Sequence, residues 1–290
     1  MTGQSQEPHV EGFYHEPTGS IAYLVTDPAA DHAVIIDPVL DYDEKAGRIG
    51  TASADAMLRA VRDRKLTIDW ILDTHPHADH LSAAAYLKDK LGALTGIGAK
   101  VVEVQTLWKA IYNEPDFPVD GGSWDRLFAD GETFAVGTLP GRVIHSPGHT
   151  LASITYVIGD AAFVHDTLFQ PDFGSARADF PGGNAGILYD SIQRILALPE
   201  ETRLFTGHDY KPNGREACWE STVAEQKRSN VHLTEYPTRD SYIAMREARD
   251  KSLPMPALIL HALQVNLRGG RLPAPESNGH SYLRIPIGMI

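Results

Sequence analysis

Four side chains able to hold a metal fall within six residues in the run Thr74-His75-Pro76-His77-Ala78-Asp79-His80. Imidazole nitrogens and a carboxylate are ligand types for zinc, iron and manganese. The run directly follows an apolar stretch, Trp70-Ile71-Leu72, and a strand that ends in a turn can aim several side chains at one point. A lone histidine reads as a satisfied core or surface residue. Three histidines and an aspartate at this spacing point instead to a metal centre.

Three more candidates sit where strands should end. His149 lies in His145-Ser146-Pro147-Gly148-His149-Thr150, and Gly148 permits a tight backbone turn there. Asp166 follows Ala162-Phe163-Val164, where a carboxylate at a buried strand edge would be costly without a cation. His208 follows Leu204-Phe205-Thr206-Gly207. Taken singly, these are a turn histidine, a helix cap and a loop histidine. Taken with the first cluster, they form a set at the ends of different strands, where layered α/β proteins place their sites.

The elements that must position them are legible as short β-rich runs: Ile21 to Thr26, Ala33 to Asp37, Trp70 to Thr74, Arg142 to Ser146, Ser153 to Ile158, Ala162 to His165 and Arg203 to Thr206. Helical patterns are predicted at Ser53 to Lys65, with Ser53 as N-cap, and at Leu81 to Leu91, Ile187 to Leu198, Glu216 to Arg228 and Arg239 to Lys251. This interspersion predicts a layered α/β architecture with buried sheets covered by helices. From Leu253 onward, prolines at 254, 256, 273, 275 and 286 forbid long helices. One domain spanning 1–290 is expected, with residues from about 253 to 290 as an irregular segment wrapping its surface.

Composition is that of an ordinary globular chain, 42% hydrophobic and 22% charged. The formal net charge of −12 argues against a general nucleic-acid binder, which needs a basic face. Cys218 is the single cysteine, so an intrachain disulfide and a cysteine-based zinc cluster are excluded, and its neighbours suggest a structural thiol. No stretch approaches the length of a membrane span, and no basic region followed by an apolar run opens the chain; a cytoplasmic location is expected.

The T-H-x-H-x-D-H run, the later G-H-T, the strand-terminal Asp166 and the G-H-D-Y at 207–210 together resemble the metallo-β-lactamase superfamily. That resemblance implies a four-layer αββα sandwich with the metal at the edges of the two sheets. In that superfamily the same positions can serve two metals: His75, His77 and His149 on one, Asp79, His80 and His208 on the other, with Asp166 bridging. Glyoxalase II and other hydrolases look this way, and a dinuclear zinc enzyme acting on a glutathione thioester or a lactone is one reading.

The segment Gly174-Ser175-Ala176-Arg177-Ala178-Asp179-Phe180, the Pro181-Gly182-Gly183 that follows and the tail around Gln264-Val265-Asn266-Leu267-Arg268 resemble persulfide dioxygenases, also called sulfur dioxygenases, of the bacterial branch. This likeness implies one Fe(II) on His75, His149 and Asp166, with His77, Asp79, His80 and His208 orienting ligands and shuttling protons. It implies oxidation of glutathione persulfide by O2 to glutathione and sulfite, with Asp79 and His208 among the catalytic residues. The alternative cofactor is one or two Zn2+. Arg177, Tyr210, Lys211, Arg215 and Arg268 are candidates for binding a substrate that carries carboxylates. The expected partners are this small persulfide and O2, with no nucleic acid or membrane and a homodimer left open. His165 stands beside Asp166 where many relatives have glycine.

Overall fold

The computed structural model describes residues 7–289; the first six residues and Ile290 of the expected span lie outside the described residues. Period-two alternation sorts the strands' side chains between two compartments. Ala22, Leu24, Ala33 and Ile35 face an outer core under helices, whereas Ile21, Tyr23, Val25, Val34 and Ile36 face an inner one. The inner core also takes Val143, Tyr156, Phe163 and Phe205 from a second sheet. Ala162, Val164 and Leu204 of that sheet point the other way, onto the helices Ala185–Leu196 and Arg239–Asp250.

The first sheet has six strands in the order His9–His15, Ser20–Thr26, His32–Ile36, Thr67–Leu72, Leu94–Gly98 and Arg126–Phe128. The second runs Thr133–Val136, Leu139–His145, Ile154–Ile158, Ala161–His165, Arg203–Thr206 and Glu220–Thr222. Helices Ala52–Asp63 and Ala84–Leu91 cover the first sheet, completing helix–sheet–sheet–helix layering. This is the αββα sandwich, and it leaves the ends of Thr67–Leu72, Leu139–His145, Ala161–His165 and Arg203–Thr206 opening toward one cleft.

Several local expectations need correction. Ser53 is not the N-cap of its helix; Thr51 holds that place, and Ser53 bonds through its N and Oγ to Asp41. Leu81–Ser82 is a short strand paired with Val39–Leu40, so the next helix starts at Ala84. The helix predicted at Glu216 to Arg228 is shorter, Val223–Ser229, because Glu220–Thr222 closes the second sheet's edge and Thr222 then starts the helix with a capping box to Glu225. Elements outside the predicted set include strand His9–His15, helix Val101–Ile111 and strands Val39–Asp43, Arg48–Gly50, Leu94–Gly98, Arg126–Phe128 and Thr133–Val136.

The C-terminal segment is also more than a surface wrap. Helix Ile259–Asn266 inserts Ala262 and Val265 into the outer core and Ile259 and Leu263 into a neighbouring cluster with Trp108 and Trp124. Residues 271–289 contain no helix or strand. No helix among the described residues is long and apolar enough to cross a membrane.

Candidate metal centre

The histidine run is held from two sides. Asp37 closes the strand His32–Ile36 with a left-handed backbone (φ 50°), and its carboxylate accepts bonds from Thr74 N and Thr74 Oγ1, both at 2.7 Å. With its hydroxyl proton committed to Asp37, Thr74 Oγ1 accepts from His75 Nδ1 at 3.0 Å. On the far side Asn266 accepts Ser82 N at 2.7 Å and donates to the carbonyls of His77 (2.7 Å) and His80 (2.8 Å). His80 spends its own Nδ1 on Leu81 O at 3.0 Å.

These bonds fix which ring nitrogens face the cleft. His75 Nε2, His80 Nε2 and His77 Nδ1 are buried with no hydrogen-bond partner among the described residues. Orphaned buried polar atoms of this kind are costly unless something binds them. Burial and the neighbouring imidazoles hold His75 well below the usual histidine range, and burial takes His80 down to about 4, so both are neutral and able to ligate. His77 Nε2 lies 2.9 Å from Asp37 Oδ1 but is not aligned as a hydrogen bond. Burial opposes its charge, yet Asp37 prevails and brings His77 up to about 9.

His149 and Asp166 arrive from the second sheet. His149 sits after a turn at Gly148 (φ 127°), where a Cβ would meet Leu188 N at 2.3 Å, so glycine is required. His149 Nδ1 donates to Arg177 O at 2.9 Å, leaving Nε2 for the cleft. Asp166 Oδ2 lies 3.6 Å from His149 Nε2 and 4.0 Å from His75 Nε2. The three residues offer ligand atoms within 4.8 Å of one another, a spacing that one ion could bridge. Burial works against the Asp166 charge, but His208 and His149 outweigh it and hold the carboxyl down to about 2.

His208 lies between two carboxylates: Nδ1 contacts Asp166 Oδ1 at 2.6 Å and Nε2 contacts Asp79 Oδ2 at 2.8 Å, with Ser20 Oγ donating to the same oxygen at 2.7 Å. Burial lowers its pKa, but Asp166 and Asp79 raise it well above the usual range, so both nitrogens carry protons. Asp79, Asp166 and His208 nevertheless form a second set whose ligand atoms could hold an ion, as do His77, Asp79 and His80.

His165 explains itself once the backbone is seen. Its φ is 39°, the left-handed region that favours glycine. Its ring bonds Ser146 Oγ (3.0 Å) and Thr167 Oγ1 (2.9 Å) and packs 5.3 Å from the His75 ring. These contacts hold a non-glycine residue in a strained place beside the centre.

The centre opens into a cavity of about 870 Å3 walled by Leu40, Phe169, Phe173, Phe180, Leu253 and Met255, among others. Of the five candidate substrate residues, Arg177 and Tyr210 line it; Lys211, Arg215 and Arg268 do not. Lys211 pairs with Glu16, Arg215 with Asp172 and Asp209, and Arg268 with Glu114. Tyr210 lies parallel to the His208 ring, 5.4 Å away.

Arg177, expected to hold a substrate carboxylate or a nearby loop aspartate, has its fork closed on Asp179 at 2.7 and 2.8 Å and its third donor on Pro254 O at 2.6 Å. It therefore ties the ligand loop to the strap at 253–258 that roofs the cavity. Arg177→Ala is expected to lower stability by about 2 kcal/mol, with metal content near the parent's. Arg177→Lys should recover little of that loss, because one ammonium cannot serve both acceptors of Asp179 and the carbonyl. Thermal unfolding with metal analysis checks both, and a parental melting temperature in Arg177→Ala would refute the latch.

Sequence reading missed Asp37 and Asn266. Asp37 had the same signal as Asp166, a carboxylate ending a β-branched strand; Asn266 had none, since its partners lie 184 to 189 residues away. Cys218 is exposed, and partial burial pushes its thiol up to about 11, so it is no reactive thiolate.

The profile of the metallo-beta-lactamase superfamily matches residues 16–208, and the chain belongs to that superfamily. It is 61% identical over 285 residues to a beta-lactamase hydrolase-like protein of Xylella fastidiosa, covering 98% of this chain but 66% of that one. The chain thus spans just under two thirds of that relative's length. It is 27% identical over 278 residues to the mitochondrial persulfide dioxygenase ETHE1 of Bos taurus, covering 95% of this chain and 94% of that one. The crystal structure of ETHE1 from Myxococcus xanthus superposes with a TM-score of 0.73 at 30% identity, over 91% of this chain and 100% of that one. Within that superfamily, the chain carries a buried set of histidines and carboxylates competent to hold a metal.

Proposed function

We propose that the protein is a mononuclear non-haem Fe(II) dioxygenase that converts glutathione persulfide, O2 and water into glutathione and sulfite. The observation that carries this reading is the division of labour within the histidine–aspartate set. His75, His149 and Asp166 converge with nitrogens freed by outer bonds, whereas His208 is held by both nitrogens between Asp79 and Asp166. Two histidines and one carboxylate are the donor set of non-haem iron oxygenases, which leave coordination positions open. The likeness to ETHE1 proteins over nearly the whole chain supports the same reading.

Iron, when bound, supplies the redox chemistry with O2. The chain's own contribution is orientation, exclusion of water and proton management. Thr74 Oγ1 and Arg177 O fix the rings of His75 and His149 through their Nδ1 atoms. Phe169, Phe173 and Phe180 line the approach and keep it dry. The Asp79–His208–Asp166 chain stores a proton at His208 beside the reacting end of the cavity, where sulfur oxygenation and hydrolysis both require proton transfer.

A dinuclear zinc hydrolase acting on a glutathione thioester or a lactone is the second reading. The observation favouring it is the set Asp79, Asp166 and His208, which shares Asp166 with the first, and the Xylella relative's hydrolase-like name agrees. Elemental analysis with oxygen-electrode assays decides. About one iron per chain with O2 uptake on glutathione persulfide, and no uptake on glutathione alone, is the expected result. Two zincs with thioester hydrolysis and no O2 uptake would overturn it.

A further inference from the structure

The cavity's charged lining is almost entirely committed, and the exceptions are informative. Three arginines line it. Arg177 is bound to Asp179 and Pro254 O, and Arg246, fully buried, is bound to Asp250 and Ser175 O. Arg249, exposed in the last turn of helix Arg239–Asp250, has no salt-bridge or hydrogen-bond partner for its guanidinium among the described residues. The acids divide the same way. Asp79 and Asp166 belong to the centre, whereas Glu44, exposed just beyond strand Val39–Asp43, has no partner for its carboxylate among the described residues. One free cation and one free anion therefore stand on the lining of a largely apolar cavity and do not pair with each other.

We propose that Glu44 and Arg249 form a recognition site for the zwitterionic α-amino-acid end of a small thiol-derived substrate. Glu44 takes the ammonium, Arg249 takes the carboxylate, and the sulfur end reaches His149 and Asp166. The net charge of −12 makes the pairing meaningful, because an acidic protein disfavours a bare carboxylate but accepts a neutral zwitterion. A guanidinium gives the carboxylate a planar two-pronged partner. The cavity volume of about 870 Å3 suits a tripeptide-sized ligand. The proposal rests on the reading above only in taking glutathione as the sulfur carrier; it holds for oxygenation and hydrolysis alike.

The test is calorimetric binding of S-methylglutathione and of its N-acetylated form, which lacks the ammonium, to the metal-loaded protein. The parent is expected to prefer the free amine by about two- to fivefold, the worth of a solvent-exposed charged contact. Glu44→Gln should erase that preference. Arg249→Ala should weaken both ligands by about three- to tenfold, and Arg249→Glu by more, with melting temperature and metal content unchanged. Arg249 could instead only complement the carbonyls ending its helix. That role predicts a lower melting temperature with parental binding, and this result would overturn the proposal, as would a parent indifferent to acetylation. Preference for the free amine without O2 uptake would sink the persulfide reading and leave this one standing. O2 uptake with parental binding in both Glu44→Gln and Arg249→Glu would do the reverse.

Discussion

Alanine at His75, His149 or Asp166 is expected to abolish stoichiometric iron and, with it, persulfide-dependent O2 uptake. Each substitution removes one of the three donors whose ligand atoms converge within 4.8 Å of one another. His77 leans on Asp37 at 2.9 Å, and His208 is tied at both nitrogens. His208→Ala should behave differently. It removes the proton store and the partner of Asp166 Oδ1, the kind of outer loss that costs about 10–100-fold in activity or affinity while most metal stays bound. Thr74→Val, which frees the His75 ring from its orienting hydroxyl, should fall in the same range. Metal content by elemental analysis and O2 uptake measure both groups. If His208→Ala lost as much metal as His75→Ala, from a parent holding two ions per chain, the mononuclear assignment would be wrong.

Asn266→Ala is expected to be strongly destabilising although Asn266 is not a candidate ligand. One carboxamide satisfies Ser82 N and the carbonyls of His77 and His80, all buried. Its truncation leaves a donor and two acceptors without partners, at about 1–3 kcal/mol each before water and backbone relax. A net loss of about 3–5 kcal/mol follows, or a fall in melting temperature on the order of 10 °C. Iron affinity should drop in parallel, since the two carbonyls belong to the loop that carries His75, His77 and His80. Asn266→Asp keeps the acceptor for Ser82 N but turns the donating edge into an acceptor facing two carbonyls, so it should rescue nothing. Thermal unfolding with and without iron tests this. A parental melting temperature in Asn266→Ala would mean the clamp is dispensable.

The residues that sequence reading handled well share one property: their signal is local. The strand at Ile21 to Thr26 alternates between two apolar compartments, so its pattern survives folding unchanged. The helix predicted at Glu216 to Arg228 failed because Glu220–Thr222 pairs with Arg203–Phe205, an edge contact outside the segment itself. The tail failed similarly. Prolines correctly forbade a long helix, but eight residues suffice to fill a gap between Trp108 and the helices over the first sheet.

Arg177 shows the same limit at the site. Its place in a Gly- and Ala-rich loop after Asp166 brought it to the cavity, yet its partners are Asp179 and a carbonyl 77 residues further on. Sequence spacing by itself determined the kind of centre this chain builds: histidines and carboxylates at the ends of several strands, on a sandwich whose period-two pattern is legible in strands such as Ile21 to Thr26. Only the tertiary structure decided which nitrogens are free to ligate and which charges remain free to meet a substrate. Asp37 and Asn266 reach their partners across the fold, as Arg177 and Arg246 do at Pro254 O and Ser175 O, and no local pattern specifies contacts made when two sheets and a distant helix close on one another.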